Sequence, residues 1–222
     1  MSERFPGSFA ECTIVPARNV LAKPAFMTMA EAGCITVAWT TAYRMLFTRG
    51  RAEPGETVLI QGAGGGVATA AAALARAAGL RVIVTSRSAD KRQRALAIGA
   101  HEAVETGARL SAPVDIVIET VGEATWKHSL RSVRPGGRVV VSEATTGDPS
   151  ADLPRIFYRQ ISIIGVSGAS RVETEQLLRF MEAADLHPVI DSVFAFENIH
   201  QAFQRAQHPD LFGKVVVQIG GS

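Results

Sequence analysis

The chain has 222 residues, enough for one large domain or one and a half, and its 47% hydrophobic content supports a sizeable core. A net charge of +2 gives no case for a nucleic-acid partner, and no apolar run reaches the length of a signal region or a membrane span. The two cysteines, Cys12 and Cys34, allow neither a disulfide framework nor a CxxC metal pair, which suits a reducing, cytoplasmic setting.

In chain order, residues 1–26 read as extended segments interrupted by Pro6, Pro16 and Pro24, and residues 28–49 as a helix or a pair of helices. A repeating strand–turn–helix unit follows. Strands are expected at 58–61, 81–85, 102–104, 114–119, 138–142 and 161–166, with helices at 67–78, 89–98 and 124–132 between them. The run 114–119 is almost continuously apolar, as a strand buried on both faces must be. Gly79, Gly99 and Gly136 stand where helix ends want a left-handed cap. A helix at 172–184, a strand at 189–196, a helix at 197–206 and a strand at 214–219 complete the chain. Strands alternating with helices imply an α/β fold with a doubly wound parallel sheet of the Rossmann type.

The most informative stretch is 57–68, where an apolar run ends in Gly62, Gly64, Gly65 and Gly66 before an alanine-rich helix opens at Val67. Backbone N–H groups without a Cβ in the way, at the positive end of a helix dipole, make an anion site suited to a pyrophosphate. The strict G-x-G-x-x-G pattern is not met. The frame Ala63-x-Gly65-x-x-Ala68 fits better than Gly62-x-Gly64-x-x-Val67, because a small residue at 68 lets helix and strand pack closely. Where the second strand ends, at 85–88, no acid stands ready for a ribose 2′-hydroxyl. Ser86 and Arg87 take that place, with Lys91 one turn on, a set that suits a 2′-phosphate and so NADPH over NADH.

These residues resemble the medium-chain dehydrogenase/reductase superfamily, in particular its zinc-independent quinone oxidoreductase and enoyl reductase branch. The resemblance rests on Gly7-Ser-Phe-Ala-Glu-Cys12, Thr40-Thr-Ala-Tyr43, Arg51-Ala-Glu-Pro-Gly-Glu-Thr-Val58, Asp115-Ile-Val-Ile-Glu-Thr-Val-Gly122, Arg134-Pro-Gly-Gly137 and Phe212-Gly-Lys-Val-Val216. It implies a central Rossmann domain (46–185) between a remnant of a GroES-like catalytic domain with its linking helix (1–45) and a C-terminal return to that domain (186–222), the family's N-terminal barrel segment being absent. It further implies hydride transfer from NADPH to an electron-poor C=C or a quinone. A zinc-type alcohol dehydrogenase relative and a truncated cofactor-binding module without catalysis are the alternatives.

Carried over position by position, the resemblance places Thr41, Val67 and the loop holding Ala144 and Thr145 beside the nicotinamide, with Tyr43 as an aromatic beside the cleft. It places Ser86, Arg87 and Lys91 at the adenosine phosphate, and Gly168 in another cofactor-side loop. Zinc-dependent relatives carry a cysteine where Val37 stands, and Cys34 comes three residues too early, so no metal is expected. Glu143 replaces a small residue and stands to crowd the nicotinamide carboxamide. No catalytic acid is assigned. Glu119 reads equally as a ligand-side carboxylate and as a loop or helix cap; the five histidines show no metal spacing. The implied partners are a small-molecule substrate and a second copy of the chain, paired through the sixth strand, with no nucleic acid and no membrane.

Overall fold

A computed structural model describes residues 7–220. Its centre is a six-stranded, all-parallel sheet in the order β3-β2-β1-β4-β5-β6. The strands are β1 (Thr57–Ile60), β2 (Arg81–Thr85), β3 (Glu102–Val104), β4 (Val114–Glu119), β5 (Val133–Val141) and β6 (Ser162–Gly165). The crossovers carry α3 (Gly66–Ala77), α4 (Ala89–Ala97), α5 (Glu123–Ser132) and α6 (Leu153–Tyr158). Ahead of the sheet lie α1 (Met29–Cys34) and α2 (Thr40–Tyr43), and after it α7 (Arg171–Ala183).

The period-2 pattern of the strands divides the core. Val58, Ile60, Val82, Val84, Ile116 and Ile118 face α3, α7 and the helical stretch 29–49. Leu59, Ile83, Val117 and Val139 face Trp126 and Leu130 of α5 on the other side. Seven alanines in α3 bring it close to the sheet, which sets its N-terminus directly over the C-terminal end of β1. Strand order reverses between β1 and β4, so a crevice opens there at the C-terminal strand ends, the place where open α/β sheets receive ligands.

Several local expectations are corrected. Gly79 and Gly99 have φ +80 and +111 and end their helices as expected, but Gly136, φ +70, ends none. It lies inside β5, which begins at Val133 and not at 138. The register jumps from Val114↔Val133 to Ile116↔Arg138, and Gly136 turns the looped-out residues, its N–H donating to the Arg159 carbonyl. Helix α6 was not foreseen, although Asp152 caps it by accepting from the Arg155 N–H, with Pro154 in its first turn. The 28–49 stretch is two helical segments broken at Thr36–Val37, where Val37 takes φ 71, ψ −64. A β-branched side chain is strained in that region.

A separate two-stranded parallel sheet pairs β7 (Ile190–Ala195) with β8 (Lys214–Gln218) through α8 (Ile199–Ala206). Its inner end is tied by Asp191, which accepts from Arg205 Nη2 (2.6 Å) and Nε (2.7 Å), from Ser192 and from the Phe212 N–H. The Arg205 guanidinium holds the Asp191 carboxyl down at about 2. This clamp fixes the 208–214 turn, whose residues reach back to the glycine loop.

Candidate functional site

The glycine loop has three separable parts, and each glycine does a different job. Gly62 makes the tight turn off β1, φ +80, and its N–H donates to Thr85 Oγ1. Gly65 is the N-cap of α3 and has no side chain to cap the helix; a Cβ there would meet nothing within 4 Å. Ala68 is buried at the helix–sheet contact. The turn, the open N-cap and the close-packing residue therefore recur at 62, 65 and 68. This corrects the frame read from sequence, which assigned Gly65 and Ala68 correctly but put the turn one residue late.

The first-turn N–H groups of α3 thus face open space with no capping oxygen, at the positive end of a 12-residue helix. Two lysines flank them. A Cβ on Gly66 would lie 2.7 Å from Lys214 Cδ, and one on Gly64 would lie 2.9 Å from Lys91 Nζ and 2.7 Å from the Leu211 carbonyl. The Gly213 N–H donates to the Gly64 carbonyl at 3.0 Å, so the C-terminal segment closes one side of the loop and leaves the Gly65 side open. Lys214 was not singled out from sequence, although it stands in the Phe212–Val216 motif; only the fold brings β8 to α3.

Beneath the loop a buried polar network fixes the strand ends. Thr85 Oγ1 donates to Gln61 Oε1 (2.7 Å), and Gln61 Nε2 donates to Ser129 Oγ (3.0 Å) and to His128 Nδ1 (2.9 Å). His128 is thereby the Nε2–H tautomer, and it donates to the Ala108 carbonyl at 2.8 Å. Ser129 Oγ donates to Glu119 at 2.5 Å. Glu119 is fully buried and also accepts from the Val121 and Gly122 N–H groups and from Thr125. Of its two readings the capping one is what the geometry shows: Glu119 holds the turn into α5.

At the end of β2, Ser86 is buried and its hydroxyl accepts from the Ser88 N–H at 3.2 Å, while Arg87 is exposed. Arg92 Nη1 donates to the Ser86 carbonyl (2.7 Å) and the Arg87 carbonyl (3.2 Å), holding that turn in place. Burial pushes the Lys91 ammonium down; Asp210 opposes this and Arg94, Arg205 and Arg87 reinforce it. Arg94 lies 4.4 Å over the Phe212 ring. The corner is a group of cations with few acids, as an anionic ligand requires.

The other expected positions lie in the helical stretch 40–43, at the start of α3 and in the loops after β5 and β6. Ala38 abuts Gly66 at the start of α3; Thr41 is buried and Val67 half-buried. Ala144 and Thr145 are exposed on a loop strapped to the end of β4: Thr145 Oγ1 donates to the Thr120 carbonyl (2.9 Å) and the Thr146 N–H to the Val121 carbonyl (2.8 Å). Ser142, at the root of that loop, has a buried hydroxyl without a partner. Glu143 is exposed and in no ion pair among the described residues. Gly168 turns with φ +57 after β6. The Tyr43 ring packs on Phe47, which meets Phe180 of α7.

A zinc site does not fit these residues. Among the described residues no three His, Cys, Asp or Glu side chains gather to hold a metal. The Cys34 thiol is buried, donates to the Ala30 carbonyl and is pushed up by that burial, while position 37 presents an exposed valine.

The zinc-binding dehydrogenase family matches residues 66–183. The acryloyl-coenzyme A reductase of Sulfurisphaera tokodaii is 30% identical over 98% of this chain and 67% of its own length. The quinone oxidoreductase of Rattus norvegicus is 29% identical over 95% of the chain and 69% of its own. A crystal structure of an NAD-dependent alcohol dehydrogenase superposes with a TM-score of 0.90 at 33% identity, covering 96% of this chain and 66% of that one. The chain thus spans about two thirds of the length of the relatives it matches. Among the described residues no helix is long and apolar enough to cross a membrane.

Proposed function

Because the chain belongs to the zinc-binding dehydrogenase family of the medium-chain dehydrogenase/reductase superfamily, we propose that it is an oxidoreductase binding NADPH and acting on an electron-poor C=C or a quinone. The observation that carries this reading is the uncapped N-terminus of α3 behind Gly65, open to solvent and flanked by Lys91 and Lys214. Free N–H groups, a helix dipole and two ammonium groups are the donor set that a diphosphate bridge takes. When bound, the reduced nicotinamide supplies the hydride equivalent.

In this reading the chain's residues bind and orient. The α3 N-terminus and the two lysines hold the diphosphate, and Ser86 and Arg87 the 2′-phosphate. Thr41, Val67 and the Ala144–Thr145 loop border the ring, with the Ser142 hydroxyl unpartnered at the loop's root. The Glu119 network keeps the strand ends rigid, so these groups meet their ligand preorganised. The choice of NADPH rests on the missing acid at 85–88 and on Arg87. A structural neighbour whose own description is NAD-dependent marks this as the part to test.

Titration with NADPH and NADH, on the wild type and on Arg87→Asp, is the deciding experiment. Tighter NADPH binding that reverses by on the order of 10- to 100-fold in the variant supports the assignment; equal affinities in both proteins refute it. Turnover against quinones and enoyl-coenzyme A esters then separates an active reductase from a second reading, a cofactor-binding module without catalysis. We also propose a homodimer through β6. That strand is a sheet edge, and Leu153, Phe157, Tyr158 and Ile163 are exposed on or just ahead of it. A monomeric mass in solution would overturn the dimer.

A further inference from the structure

A cleft of about 470 Å³ opens between the 107–113 segment leading into β4, the C-terminal half of α5, and Arg155 and Arg159 in and just after α6. Arg109, Arg131, Arg155 and Arg159 line it, and no Asp or Glu does. None of the four forms an ion pair among the described residues, whereas seven other arginines do. In a chain with 23 basic and 21 acidic residues, four unneutralised guanidiniums around one cavity are a local excess that composition does not require.

Two of the four are partly accounted for by the fold. Arg155 Nε donates to the Leu130 carbonyl (3.0 Å) and Arg159 Nη2 to the Val133 carbonyl (3.2 Å), at the negative end of the α5 dipole. Those bonds fix both side chains and leave their remaining N–H groups over; Arg159 Nε is buried with no partner at all. Arg109 and Arg131 are exposed and make no hydrogen bond among the described residues, so no structural duty explains them. Ser111 adds a hydroxyl to the same wall.

We infer that this cleft binds a small phosphate-bearing molecule, one with at least two linked phosphates. Its size lies in the range of small-molecule sites. Planar guanidinium forks match phosphate oxygens two at a time, and four positive charges are balanced by an oligophosphate and not by a single carboxylate. No glycine-loop residue lines the cleft; His128 and Ala108 do, and His128 meets Gln61 beneath the loop, so the two sites have separate walls with one buried network between them.

The test is a titration with inorganic pyrophosphate at about 150 mM NaCl, where loose surface attraction is screened, read from the arginine Nε–H signals in NMR spectra. Saturable shifts at Arg109, Arg131, Arg155 and Arg159 are expected. The double variant Arg109→Gln/Arg131→Gln should weaken this binding on the order of 100-fold or more, since each lost guanidinium removes a charge-assisted hydrogen bond, with its melting temperature unchanged. Should the pair melt early, Arg131→Gln alone serves, with a loss on the order of 10-fold. Lys214→Ala, which weakens the glycine-loop site, should leave the four arginine signals responding as before. Shifts reproduced by added NaCl, affinity unchanged in the arginine variants, or a response that disappears with Lys214 would each overturn the inference.

Discussion

Replacing Gly65 by serine separates the two jobs a glycine can do in this loop. The residue has φ −73 and ψ 156, which any amino acid adopts, and a Cβ there meets nothing within 4 Å. Nothing in the folded chain therefore requires glycine at this point. A serine hydroxyl would accept from the Val67 or Ala68 N–H and cap α3, gaining a few tenths of a kcal/mol over glycine. The reduced freedom of the unfolded chain adds about 0.4–1 kcal/mol. The sum, about 1 kcal/mol, should raise the melting temperature by about 2–4 °C for a chain of this size. The same hydroxyl takes an N–H away from the diphosphate and puts two heavy atoms where the ligand must come. Losing one charge-assisted hydrogen bond, worth about 1.5–3 kcal/mol, weakens NADPH on the order of 10- to 100-fold. Thermal melting and an NADPH fluorescence titration on the same preparations measure both effects. A variant that binds NADPH as tightly as the wild type would refute the assignment of the loop, whatever its stability.

Further outcomes follow from the other parts of the structure. Glu119→Ala strands two backbone N–H groups and two hydroxyls in a dry site, and should cost about 3–5 kcal/mol by urea denaturation; a loss under about 1 kcal/mol would show that the network is not holding the strand ends. The Arg205 guanidinium holds the Asp191 carboxyl at about 2 in the folded chain, below its ordinary 3.8. A depressed acid stabilises above its unfolded value and loses that contribution as pH falls through its folded one. About 2 kcal/mol should thus disappear between roughly pH 4 and pH 2, and Asp191→Asn should flatten that limb of the stability curve. Val37→Gly relieves the positive-φ valine while giving up a side chain that is 67% exposed, so guanidinium melts should show a net gain of about 1 kcal/mol; a loss would mean that the side chain has a contact worth more than the strain.

Much of this protein was legible before any coordinates. The parallel α/β order follows from apolar runs such as 114–119 alternating with helical stretches, because a strand covered on both faces has no polar side to show. The glycine-rich turn marks its own place, since only that composition lets backbone N–H groups face a ligand. The absence of an acid at 85–88 is a property of four letters and needs no fold to be seen.

Other features depend on residues far apart in the chain, and no local pattern encodes them. Lys214 reaches α3 only because the Asp191–Arg205 clamp sets the turn before β8. The role of Glu119 was open because capping and ligand binding ask for the same side chain; the hydroxyls of Thr125 and Ser129 decide it by saturating the carboxylate. The start of β5 and the turn at Gly136 were misread because the looped residues interrupt a strand, and propensity cannot tell an interrupted strand from a late one. The four arginines of the second cleft come from one loop and two helices, and their common wall exists only once α5 and α6 pack side by side on the sheet. Local sequence sets what each segment prefers to be, through backbone sterics and burial; which charges then share a space is decided by packing alone, since it is packing that brings groups distant in the chain within Coulombic reach.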